Sequence, residues 1–159
     1  MSEPTSNATR WAGVPLVDRR AERRALLVDA AFRLFGESGE AGLSVRSVSR
    51  ESGMNTRYFY ESFPGTDDLL GAVYDHVSAE LAEVVADAMA AAGPSLRART
   101  RAGMAAVLHF SSADPRRGRV LFTDARANPV LTERRAATQD LLREAVLTEG
   151  WRLHPDSDA

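Results

Sequence analysis

Apolar residues in this 159-residue chain recur every three or four positions, the spacing of helices that bury one face. In "RRALLVDAAFRLFGESGEAG" the stripe is Leu27, Ala30, Ala31, Leu34 and Phe35, and Gly36 and Gly39 mark its end. "LSVRSVSRESG" predicts a short second helix with Ser44 as N-cap, Val45 and Val48 facing inward and Gly53 as its stop. Asn55 is placed to cap a third helix through about Ser62. Pro64-Gly65 breaks the chain, and Thr66 is placed to cap a new helix whose positive end Asp67 and Asp68 complement.

That helix is expected to run to about Ala92, with Leu69, Leu70, Val73, Tyr74, Val77, Leu81, Val84 and Val85 on its inner side. After "AAGP", Ser95 begins a helix through Phe110 that carries Leu96, Met104, Val107 and Leu108. "DPRRGRVLF" and "NPVLTERR" each pair a cap, Asp114 or Asn128, with a proline at the first helical position, and the last helix fades near Gly150. No alternating strand pattern occurs, so the expected fold class is all-α. The expected organisation is a loose tail over 1–18, a small bundle over 19–65, a helical domain over 66–150 and a polar tail over 151–159.

Composition changes this picture little, and charge changes it more. Hydrophobic residues make up 44% and charged residues 26%, ordinary for a chain that buries a core. The absence of cysteine excludes disulfides and thiolate metal sites. No signal-peptide pattern or membrane-length apolar run occurs, so a soluble, cytoplasmic protein without membrane contact is expected. Net charge is −2, and all 20 basic residues are arginine. Between Arg10 and Arg24 five arginines face two carboxylates, and between Ser44 and Tyr60 three (Arg46, Arg50, Arg57) face Glu51 alone. Positive charge therefore gathers in the N-terminal part.

It flanks an unusual stretch, "SGMNTRYFYESF", with four rings and an arginine close to a glycine turn. Two short helices around a glycine, preceded by a longer packing helix, have the layout of a DNA-binding helix-turn-helix. Val45, Val48, Met54, Phe59 and Phe63 form the expected inward set, the two phenylalanines lying four apart on one face. Thr56, Arg57, Tyr58 and Tyr60 are then left outside, with donors for phosphates or base edges.

With these features in register, residues 26–77 resemble the N-terminal DNA-binding domain of the TetR family of transcriptional repressors. The matching pieces are "DAAFRLFGESG", "LSVRSVSRESG", "MNTRYFYESF" and the "LL" after the restart. "LRARTRAGMAAVLHFSSADPRRGRVLF" also looks like the ligand-binding domain of actinobacterial members. The resemblance implies that Ser44 caps the second helix and holds a phosphate, and that Arg46 reaches the backbone or an edge base. It further implies that Thr56, Arg57 and Tyr58 read bases and that Tyr60 binds phosphate. The family often has a lysine where Thr66 stands, so only a weaker phosphate contact is expected there. Arg19, Arg20 and Arg23 are a possible arm for the minor groove.

By the same resemblance the chain would be a repressor that pairs as a homodimer on a palindromic double-stranded operator and leaves it when a small-molecule effector binds. Family members usually continue for two further helices that form the dimer interface, and this sequence ends soon after Trp151. The competing reading is a helical protein-interaction or ligand-sequestering module whose DNA binding has decayed. No nucleophile–base constellation, P-loop or dinucleotide glycine loop is present, so neither an enzyme nor a cofactor is expected. His76, His109 and His154 stand apart from one another, without metal-ligand spacing. Arg116, Arg117, Arg119, Arg134 and Arg135 are expected as surface charge, and Met89, Met104, Leu108, Phe110, Phe122 and Trp151 are candidates to line an effector cavity.

Overall fold

A computed structural model describes the backbone of residues 16–123 and 128–153, and the side chains of 19–122 and 128–144. Every regular element among the described residues is a helix. Helix α1 spans Leu16–Ser38, so it begins inside the stretch expected to be a tail; residues 1–15 lie outside the described part. Leu27, Ala30, Ala31 and Phe35 are buried as their spacing requires. Gly39, with φ 66°, ends the helix, and a single 3₁₀ turn, Glu40–Gly42, leads on.

Helix α2 (Val45–Ser52) starts with a reciprocal cap. The Ser47 amide donates to Ser44 Oγ at 3.0 Å, and the Ser44 amide donates to Ser47 Oγ at 2.9 Å. Gly53 closes α2 at φ 69°, a left-handed conformation that glycine adopts at no steric cost. Helix α3 (Thr56–Ser62) follows directly, with Asn55 Oδ1 accepting from the Arg57 amide at 2.9 Å. Arg33 of α1 ties to Glu51 of α2 at 3.0 Å and also pairs with Asp29.

Helix α4 (Thr66–Ala91) is buried over Leu69–Tyr74 and at Val77. Its N-cap is Gly65, and Thr66 is already helical with no side-chain cap bond, contrary to the expected Thr66 cap. Farther along, α4 packs chiefly on α5 (Leu96–Ala113), so its inner face narrows and Val84 is exposed, not inward. The two helices approach closely at Gly103, where a Cβ would stand 3.2 Å from Met89. Of the apolar residues expected to define α5, Leu96, Met104 and Leu108 face outward. The side of α5 toward its neighbours is carried by Gly103 and Phe110.

Helix α6 (Pro115–Gly118) continues as a π turn over Arg119–Thr123 and buries Val120 and Leu121. Helix α7 (Pro129–Leu153) lies on α4. Asp114 and Asn128 cap α6 and α7 as their proline partners predict. One apolar cluster joins Leu27, Phe35, Phe59, Leu70, Val120 and Leu131. The small N-terminal bundle therefore shares its core with α4, the π turn after α6, and α7.

The arginines expected as mere surface charge fasten these parts together. Arg116 grips Asp114 with Nε and Nη2 at 2.9 and 2.8 Å and lies over the Phe32 ring. Arg117 covers Phe110. Arg119 donates to the Gly36 carbonyl. Arg134 pairs with Asp75, and Arg135 donates to the carbonyls of Leu121 and Val120 at 2.9 and 2.8 Å. A guanidinium offers five donors on a long apolar stem, which suits it to pinning carbonyls across helix junctions.

Candidate nucleic-acid interface

Phe59 and Phe63 of the α3 region are sunk in the core, with ring centroids 6.2 Å apart. Burial of two phenylalanines fixes a seven-residue helix that would not hold its shape alone. The opposite side is open: Thr56 and Arg57 are exposed, Tyr58 is 41% exposed and Tyr60 61%. Ser44 and Arg46, at the start of α2, are exposed as well. The structure thus brings these six residues onto the outer surface of one helix pair.

Arg57 is 82% exposed, and its Nε donates to Glu61 Oε1 at 2.9 Å one turn along. Glu61 escaped the sequence reading, although its i,i+4 spacing from Arg57 was the available signal. Ser44 Oγ accepts from the Ser47 amide and donates to Ser47 Oγ at 3.0 Å, so its hydroxyl is committed to the cap. A phosphate at this helix start would meet open first-turn amides sooner than that hydroxyl.

The expected minor-groove arm has a different geometry. Arg19, Arg20 and Arg23 are helical residues of α1, and the last two lean on α3. Arg20 Nη2 donates to the Glu61 carbonyl at 2.8 Å, Arg23 lies 5.0 Å from the Tyr58 ring centre, and Arg24 lies 4.6 Å from that of Phe63. The backbone is helical at all three positions, and Arg23 is stacked on a ring, so they are presented from a helix and not from an extended arm. These arginines back the exposed helix and place positive charge behind it.

Thr66 is half-buried at the start of α4, between Gly65 and the exposed pair Asp67 and Asp68. Those carboxylates already complement the helix's positive end and would oppose a phosphate there.

The five described candidates for an effector cavity do not converge. Phe110 is buried and Met89 sits under Gly103, whereas Met104, Leu108 and Phe122 face outward. The side chain of Trp151 lies outside the described residues. An open cleft of about 330 Å³ separates α4 from α7, lined by Tyr74, Asp75, Ser78, Arg134, Thr138 and Leu141. Tyr74 Oη donates to Thr138 Oγ1 there at 3.1 Å. Among the described residues no three His, Cys, Asp or Glu side chains group as a metal site. His76 pairs with Glu80, 3.4 Å away, and His154 lies outside the described part. No described helix is long and apolar enough to cross a membrane.

Comparison with known proteins agrees with this layout. The family described as "Bacterial regulatory proteins, tetR family" matches residues 27–73. The HTH-type transcriptional regulator BetI of Burkholderia thailandensis is 37% identical over 93 residues, which are 58% of this chain and 48% of that protein. BetI of Brucella anthropi is 29% identical over 100 residues, 63% of this chain and 50% of its own. The chain thus spans about half the length of the curated relatives it matches. A crystal structure of a TetR family transcription regulator from Marinobacter aquaeolei VT8 has the same fold, with a TM-score of 0.67 at 20% identity, covering 86% of this chain and 72% of that one.

Proposed function

We propose that this chain is a member of the TetR family of bacterial regulatory proteins, whose description matches its residues 27–73, and that it binds double-stranded DNA through α3 and the start of α2 and regulates transcription. The observation that carries this reading is the two-sided α3: Phe59 and Phe63 locked inside, Thr56, Arg57, Tyr58 and Tyr60 presented outside. A short helix so anchored fits a major groove, where arginine pairs two-pronged with guanine and a threonine or tyrosine meets a thymine methyl. Ser44 with its helix start, Arg46 and Tyr60 would bind flanking phosphates. Thr66 contributes least, because of Asp67 and Asp68.

In this reading residues 19–65 form the DNA-binding part and 66–150 the effector-binding and pairing part of a cytoplasmic repressor. Two copies related by a twofold axis would read a palindromic operator, and the exposed Leu141 and Leu142 on α7 favour such pairing. An effector in the α4–α7 cleft would release DNA only by favouring a conformation in which the two copies of α3 no longer match successive grooves. The path between these regions is short, since Asn128 at the start of α7 touches Asp67 at the start of α4.

Selection of bound duplexes from a random pool, followed by gel shifts at two salt concentrations, tests the proposal. Enrichment of a palindromic sequence, binding that weakens with salt and a dimer in sedimentation are the expected results. A second reading, a protein-interaction or ligand-sequestering module with decayed DNA binding, is favoured by the acidic pair beside Thr66. It predicts no enriched duplex.

A further inference from the structure

We propose that Glu61 is a positioning residue that directs the Arg57 guanidinium toward a base pair and thereby sets base preference; the inference rests on the DNA-binding reading above. Glu61 is the one acidic residue of α3, and it stands among Thr56, Arg57, Tyr58 and Tyr60. On a surface meant for phosphates a carboxylate opposes binding. Its stability value does not explain its presence either, because an exposed i,i+4 ion pair contributes little.

The geometry gives it another role. Glu61 Oε1 accepts from Arg57 Nε at 2.9 Å, and the Arg57 side chain is 82% exposed; with Nε engaged, the terminal Nη pair is left to act as an end-on fork. That fork matches the two acceptors of guanine, O6 and N7. An arginine not tied at Nε would equally well lay its Nε–Nη edge along a phosphate, a contact that carries no sequence information. The backbone that carries Glu61 is well anchored. Arg20 Nη2 holds the Glu61 backbone carbonyl at 2.8 Å, and Phe59 and Phe63 seat the helix on either side of it. Glu61 therefore fixes the direction of the fork and damps the attraction of Arg57 for phosphates, so base contacts make up a larger share of the affinity.

The test uses the whole 159-residue chain as wild type, Glu61→Gln and Glu61→Asp. Each is taken through selection from a random duplex pool, and its affinity is measured by fluorescence anisotropy for the wild-type-selected duplex and for a random-sequence duplex. Glu61→Gln is expected to bind the random duplex more tightly and to lose about tenfold in the ratio of selected to random affinity. Its selected sequences should lose preference at the base pair that depends on Arg57. Glu61→Asp keeps the charge but is one methylene too short to reach Nε. It should relax the same base pair without the gain on random duplex, which separates direction from charge. Unchanged melting midpoints are expected for both. The inference is overturned if Glu61→Gln tightens both duplexes equally with its preferences intact, if Glu61→Asp selects as wild type does, or if lost selectivity comes with a lowered melting midpoint. A wild-type protein that enriches no duplex overturns this inference and the DNA-binding reading together; an enriched duplex with unaltered variants overturns this inference alone.

Discussion

Gly36 of α1 and Arg116 of α6 share one small volume: a Cβ on Gly36 would stand 2.6 Å from both Cβ and Cδ of Arg116. The absence of a side chain at Gly36 is what lets α6 lie against α1, after which Arg119 reaches the Gly36 carbonyl and Arg116 covers Phe32. Gly36→Ala would gain about 1 kcal/mol of helix propensity and lose about 1–3 kcal/mol to overpacking. The net expectation is a lower urea midpoint at unchanged slope. A raised midpoint would mean that α6 yields at this contact.

The hydrogen bond from Arg116 holds the Asp114 carboxyl below the ordinary carboxylate value of 3.8, and only burial opposes the shift appreciably. A carboxyl depressed in the folded state stabilises fully above its unfolded pKa and loses that contribution as pH falls through the folded one. Asp114→Asn keeps an oxygen to cap α6 but gives up the ion pair. It should be less stable than wild type near pH 7, and the gap should close below about pH 4. Urea midpoints measured across that range would show it; a constant gap would refute the assignment.

Asn128 is 4% exposed and works in both directions. Its Oδ1 accepts from the amides of Val130 and Leu131, while its Nδ2 donates to Glu40 at 2.7 Å and Asp67 at 3.3 Å. Asn128→Asp preserves the cap and sets a third carboxylate against two others. A loss of about 1–3 kcal/mol is expected at neutral pH, shrinking as the group is protonated in acid. Thermal unfolding at pH 7 and pH 4 measures this directly.

Arg57→Ala and Tyr60→Phe should separate base reading from phosphate holding. The first is expected to cost about 1–3 kcal/mol of discrimination at one base pair of each half-site. The second should weaken all duplexes alike, by about 1 kcal/mol. Gel shifts against the selected duplex and its single-pair variants make the comparison. Equal, sequence-blind losses from both would contradict the role assigned to Arg57.

What could be read from the chain was local. Ser44, Asn55, Asp114 and Asn128 announced helix starts because a cap bonds to amides two or three residues away. Phe59 and Phe63 announced the buried side of α3 because four residues make about one turn. Contacts across long stretches of chain stayed hidden. Nothing near Arg134 in sequence marks Asp75 as its partner, and nothing near Arg119 points to the Gly36 carbonyl. That Arg19, Arg20 and Arg23 stand on a helix was not legible, because the pattern of charge is silent about where a helix begins; the backbone is helical from Leu16. Met104 and Leu108 misled for another reason. Spacing shows that two residues share a face, and only the neighbouring helices decide whether that face is covered.

The arrangement of α3 keeps two kinds of change apart. Substitutions on its phenylalanine side disturb whether the chain folds, while those on its tyrosine and arginine side leave the bundle standing. On the proposed DNA-binding reading, new target sequences would therefore be acquired one outward residue at a time, with no compensating repair inside, and a single scaffold could be retuned to many duplexes.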